Sequence, residues 1–252
     1  MGKKAICLRK WFQGPQKIGC DFMGLFFKSN KNYKGYTLIE GFPSADLISS
    51  ITTKYLIENL KMDYLGHFEH DNTAPIVKIE NGIPQHPIRA YVTHKHKLIC
   101  IISDQIIQKE DLKSYCHIVL NWAKKSKMER ILSIGGIIDN NETILGVANN
   151  KKNLSYLEKY NIQKIKEGIT AGIGAQFFIL EKDYPIYLIL VPFLQTKNYD
   201  AAAKAIGLLN KMYNLNIDNK PLLAESKKLS EIVNSQMKEV KEKEKNGHNM
   251  YI

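Results

Sequence analysis

The chain has 252 residues, 44% of them hydrophobic, and a formal net charge of +11. That length and apolar content sustain one large domain with appendages and exclude disorder along the whole chain. Lysine supplies nearly all of the positive charge, with arginine only at Arg9, Arg89 and Arg130; nucleic-acid readers lean on arginine forks, so the balance points to general surface charge and not to a nucleic-acid partner.

Residues 1–34 read as an irregular lead-in, with a short strand at Ala5–Leu8 and a turn at Gln13-Gly14-Pro15. Lys3, Lys4, Arg9 and Lys10 interrupt any signal-peptide pattern. A strand follows at Tyr36–Glu40, broken by Gly41-Phe42-Pro43-Ser44. Leu47, Ile48, Ile51, Tyr55 and Leu56 then recur at helical spacing, which predicts a helix over 45–60 with Ser44 as N-cap.

Tyr64–Phe68 and Ile76–Ile79 read as strands, with a turn at Asn81-Gly82. Ile88–Val92 and Leu98–Ser103 flank a hairpin connection at His94-Lys95-His96, and the continuous apolar run Leu98–Ile102 suits a strand covered on both faces. A helix is expected over Glu110–Lys125 and a buried strand at Arg130–Ile134, leaving through Gly135-Gly136. Glu142–Ala148 reads as a strand and Leu154–Tyr160 as a short helix. The glycine-spaced segment from Gly168 leads into an apolar helix ending at Leu180. Tyr187–Val191 is a strand, Tyr199–Tyr213 a helix, and Pro221–Lys243 a last helix whose apolar stripe thins toward its end. The longest apolar runs are too short to span a bilayer, so no membrane partner is expected.

Alternating strands and helices from Tyr36 to Tyr213 predict an α/β layer fold with a mostly parallel central sheet. The expected division is a lead-in over 1–34, an α/β domain over 35–220, a helix over 221–245 and a tail over 246–252.

Several groups invite chemistry. Amides of the turn 41–44 stand before a helix N-terminus, but the glycines of a phosphate cradle are missing, and a structural turn is the better reading. Asp46 in the first helical turn is favoured by the helix dipole. Gly135-Gly136 stands where open sheets bind ligands, yet it also suits a tight exit turn, and no nucleophile or base adjoins it. Asp104 follows a buried strand, where catalytic carboxylates often sit. His67, His70, His86, His94, His96 and His117 raise the question of a metal; His94 and His96 share a strand side, but the sequence fixes no third ligand. Cys7, Cys20, Cys100 and Cys116 are scattered without metal-ligand spacing and read as reduced thiols of a cytoplasmic protein. No Walker loop or GxSxG elbow is present. The expectation is a non-enzymatic binding protein without cofactor or metal. The alternative is a phosphorylase-like or hydrolase-like enzyme with a pocket near Asp104, Gly135-Gly136 and the turn 41–44.

Five segments carry a resemblance: Gly41-Phe42-Pro43 after a strand, Tyr55-Leu56-Ile57 ending the next helix, Ile134-Gly135-Gly136-Ile137, Gly168-Ile169-Thr170-Ala171-Gly172, and Asp200-Ala201-Ala202. In order and spacing the chain resembles the archaeal branch of the proteasome assembly chaperone family from about Tyr36 to Lys228. The resemblance implies a three-layer α/β/α sandwich similar to purine nucleoside phosphorylases. It departs at Ser44–Ser50, where family members often have a glycine-richer loop.

The sequence ends Met250-Tyr251-Ile252, after the alternating charges of Lys238–Lys245 and the breaker Asn246-Gly247-His248-Asn249. An apolar residue and a tyrosine on a charged stalk suit a pocket on another protein. Met250-Tyr251-Ile252 is similar to the hydrophobic–tyrosine–any motif by which proteasome activators and some of these chaperones dock between α subunits of the proteasome core. The resemblance implies that Tyr251 enters an inter-subunit pocket, that the Ile252 carboxylate pairs with a pocket lysine, and that Met250 packs on the apolar wall. One such tail binds weakly, so a homo-oligomer presenting several tails is expected.

Overall fold

The computed structural model describes the backbone of residues 23–27 and, in full, residues 32–44, 46–70, 73–194 and 198–226. The strands are β1 (Met23–Phe27), β2 (Thr37–Gly41), β3 (Asp63–His70), β4 (Lys78–Glu80), β5 (Ile83–Gln85), β6 (Ile88–Thr93), β7 (Leu98–Ser103), β8 (Arg130–Ile138), β9 (Leu145–Ala148), β10 (Gln163–Lys164) and β11 (Ile186–Phe193). The helices are α1 (Ile48–Asn59), α2 (Lys109–Lys125), α3 (Lys151–Glu158), α4 (Ile173–Leu180) and α5 (Asn198–Tyr213). A further helix starts at 220 and is described through 226; the rest of the last helix expected from the sequence lies outside the described residues.

Nine strands form one sheet in the order β1-β3-β6-β7-β2-β8-β11-β9-β10. The central four, β7-β2-β8-β11, are parallel. On one side β7, β6, β3 and β1 run as an antiparallel series; on the other, β9 lies antiparallel to β11 and parallel to β10. β4 and β5 make a separate hairpin.

Side-chain alternation along the central strands builds two cores. Leu38, Ile99, Ile101 and Ile131 face α2 and α4. Their neighbours Ile39, Leu98, Cys100 and Leu132 face α1, α3 and α5. A period of two with both faces apolar is what a strand covered on both sides requires. The expected α/β/α sandwich follows directly. In α5, Ala201, Ala202, Ala203 and Ala205 are buried, and small side chains let that helix approach the sheet closely. In α2, Glu110 and Asp111 occupy the first turn and Lys124 and Lys125 the last, each sign at the end the helix dipole favours. Trp122 of the same helix meets Phe68 of β3 edge-on, at 6.0 Å between ring centroids, a geometry worth about 0.5–1.5 kcal/mol beyond area burial.

Several boundaries differ from the sequence reading. Helix α1 begins at Ile48, and its N-cap position is Leu47, in the left-handed region at φ 55 with no side-chain cap. Ser44 does not cap it; the Ser44 hydroxyl donates to Asp46. Gly135 and Gly136 are not an exit turn. They lie within β8, in register with Leu190 and Val191 of β11. The stretch read as a strand at Ile76–Ile79 enters the β4–β5 hairpin, which turns through Asn81 and Gly82 at φ 50 and 78. Strands β1, β5 and β10 have no counterpart in the sequence reading, and the strand expected at Ala5–Leu8 lies outside the described residues.

Candidate functional site

The carboxyl ends of β2 and β8 converge on the first turns of α1. Ser49 of that helix donates to the Glu40 carbonyl at 2.8 Å, and Ser50 to the Gly41 carbonyl at 3.5 Å. One Asp46 oxygen accepts from the Ile48 amide at 2.9 Å and the Ser44 hydroxyl at 2.7 Å; the other accepts from the Gly136 amide at 2.9 Å. Asp46 thus satisfies an orphan donor of the helix start and ties that start to β8. Glycines make the close approach possible. A Cβ on Gly41 would lie 2.5 Å from Thr53 Cβ, and one on Gly136 would lie 2.5 Å from Ile48 Cδ1 and 2.6 Å from Phe193.

On the opposite face, Glu40 is 2% exposed and in register with Ser133 of β8. Its carboxylate accepts from the Phe42 amide at 3.1 Å. Burial pushes the Glu40 carboxyl up to about 7, and the Asp46 charge adds to the rise. The Phe42 amide and the Ser133 hydroxyl, which lies alongside without a well-aligned hydrogen bond, oppose it. Burial and the nearby Glu40 raise the Cys116 thiol, whose Sγ lies 3.8 Å from the Ile173 carbonyl at the start of α4. Glu40 is thus a buried carboxyl between β2 and β8 that holds its proton more tightly than an exposed carboxylate does. Sequence reasoning missed Glu40, because an acidic residue ending an apolar strand reads as its solvated edge. Its only signal was position: the next residue is a glycine at a strand end.

The other candidates are placed elsewhere. Asp104 accepts from Arg89 Nη1 at 2.6 Å, and its amide donates to the Pro87 carbonyl. Arg89 is fully buried, so Asp104 neutralises an interior guanidinium. Arg130 is likewise turned inward, over the Tyr156 ring at 4.0 Å. His94 Nδ1 and the Tyr36 hydroxyl are hydrogen-bonded at 2.7 Å; His94 and His96 stand in the β6–β7 turn. His70 is buried against Tyr115 and 3.3 Å from the Ser114 hydroxyl. Cys100 and Cys116 are buried free thiols. Among the described residues no helix is long and apolar enough to cross a membrane. Met250, Tyr251 and Ile252 lie outside the described residues.

The architecture is an α/β/α sandwich with a parallel centre whose β2 and β8 ends are packed against α1. The chain belongs to the PAC2 family, whose profile matches residues 38–237. It is 28% identical over 240 residues to an uncharacterized protein of Methanocaldococcus jannaschii, covering 92% of this chain and 99% of that one. Its fold is similar to that of Pyrococcus furiosus PbaA, described as an archaeal homolog of proteasome-assembly chaperone, with a TM-score of 0.76 at 24% identity over 91% of this chain and 99% of PbaA. It is also similar to Pyrococcus furiosus PbaB, described as an archaeal proteasome activator, with a TM-score of 0.71 at 17% identity over 85% of this chain and 98% of PbaB.

Proposed function

We propose that this protein is a binding partner of the proteasome core particle, acting as an assembly chaperone or activator-like factor and not as an enzyme. The observation that carries the reading is the similarity of fold to PbaA over nine-tenths of the chain, within a family match over residues 38–237. PbaB, described as an archaeal proteasome activator, has a similar sandwich, which supports an activator-like reading beside the chaperone-like one. The segment Met250-Tyr251-Ile252 supplies the docking element: Tyr251 fills a pocket between α subunits, and Met250 and Ile252 pack at its wall. Several copies in a homo-oligomer strengthen weak single contacts through effective concentration.

The test is capture of purified core particles by the immobilised full chain. Binding that is lost when Tyr251 and Ile252 are deleted, or when residues are appended after Ile252, supports the reading, provided the variants keep the wild-type melting temperature. Absence of capture by the full chain contradicts it.

A further inference from the structure

A second polar cluster lies on the antiparallel side of the sheet. His67 and Glu69 are two apart on β3, so they share a face. His86 stands just before β6, whose Arg89 is in register with His67. One ligand atom from each of His67, Glu69 and His86 lies within 4.8 Å of the other two. His67 Nε2 is 3.2 Å from Glu69 Oε1, and the two imidazoles stack at 4.5 Å between centroids. All three residues are half-buried.

Two further contacts suit a metal. The Tyr64 hydroxyl is 2.9 Å from His67 Nδ1, and the Ile88 carbonyl and amide are each 3.3 Å from His86 Nδ1; in the tautomer whose Nδ1–H donates to the carbonyl, Nε2 is left to ligate. Metal-binding histidines are held in this way through the ring nitrogen that does not ligate, which sets the tautomer and aims the other nitrogen. The nearby Arg89 guanidinium opposes a cation, but Asp104 compensates it at 2.6 Å. Two imidazoles and one carboxylate are a donor set for zinc and related divalent cations. Zinc–ligand distances of about 2.0–2.2 Å place donor atoms roughly 3.3 Å apart. Reaching that spacing from separations of up to 4.8 Å requires the three side chains to turn toward a common point.

We propose that His67, Glu69 and His86 form a divalent transition-metal site that takes zinc. The ion would clamp β3 to the segment between the β4–β5 hairpin and β6. It would also replace the contact of two stacked imidazoles with a shared cation.

The experiment uses the full chain, stripped with chelator, dialysed against zinc chloride and then metal-free buffer, with zinc per chain measured by mass spectrometry. One zinc per chain is expected. The Glu69→Gln/His86→Gln double variant loses it, whereas His94→Gln/His96→Gln retains it. Tyr64→Phe weakens zinc binding about tenfold. Cobalt in place of zinc gives visible ligand-field bands without strong near-ultraviolet thiolate absorption. The proposal is overturned if the wild-type chain retains no zinc. It is equally overturned if the double variant, folded by circular dichroism, retains as much as wild type, or if the cobalt spectrum is that of a thiolate site. Should the double variant fail to fold, wild-type stoichiometry and the cobalt spectrum decide the matter alone.

Discussion

The Asp46 carboxylate accepts a hydrogen bond from the Gly136 amide at 2.9 Å, joining groups ninety positions apart in the chain. The same side chain receives the Ile48 amide at the start of α1. One residue therefore fixes where a helix begins and where that beginning sits on the central sheet. Asp46→Ala leaves two backbone donors without this partner, a loss of about 2–3 kcal/mol. Thermal unfolding followed by circular dichroism should show a lower melting temperature, with Asp46→Asn falling between wild type and Asp46→Ala.

Gly41 and Gly136 both face α1, but their obstacles differ. A Cβ on Gly41 meets Thr53 Cβ, an atom fixed to the helix backbone. A Cβ on Gly136 meets the far end of Ile48 and the Phe193 ring, which can move. Gly41→Ala is expected to cost about 3 kcal/mol and Gly136→Ala about 1–2 kcal/mol, within the range for overpacked cores. Ile48→Val should partly rescue Gly136→Ala. Thr53→Ala should not rescue Gly41→Ala, since it keeps the clashing atom. Urea denaturation of the single and double variants measures both comparisons.

Glu40 gives stability a pH dependence of definite sign. Its folded pKa is raised to about 7 by burial, above the ordinary value of 4.5. The folded state therefore binds the proton more tightly than the unfolded state. This contribution is fully present below about pH 4.5 and is lost as pH rises through about 7. The loss amounts to roughly 3 kcal/mol between those limits. Glu40→Gln removes it, so its unfolding free energy should fall less from pH 5 to pH 8 than that of wild type. Parallel curves for the two proteins would contradict the assignment.

The layered fold was legible because the parallel strands carry continuous apolar runs. Leu98–Ile102 and Ile186–Leu190 have the composition that burial on both faces demands. Elements held by tertiary pairing left little local trace. Strand β10 is only Gln163–Lys164, both exposed, and exists because it pairs with Leu145 and Gly146. The glycine pair 135–136 was readable as special but not as what it is. Glycine marks a turn and a close approach equally well, and only the packing of Ile48 and Phe193 distinguishes them. His67 and His86 were visible as histidines, but their meeting depends on the antiparallel pairing of β3 with β6, which spacing along the chain does not encode.

The central claim is that this sandwich serves proteasome binding and that Met250-Tyr251-Ile252 makes the contact. Native mass spectrometry of the full chain mixed with proteasome core particles tests it most directly, run beside a variant lacking those three residues. The account predicts a complex with the full chain and free core particles with the shortened one, both proteins being equally folded. A complex formed equally by the shortened chain would contradict the docking role of the tail, and no complex with either chain would contradict the function itself.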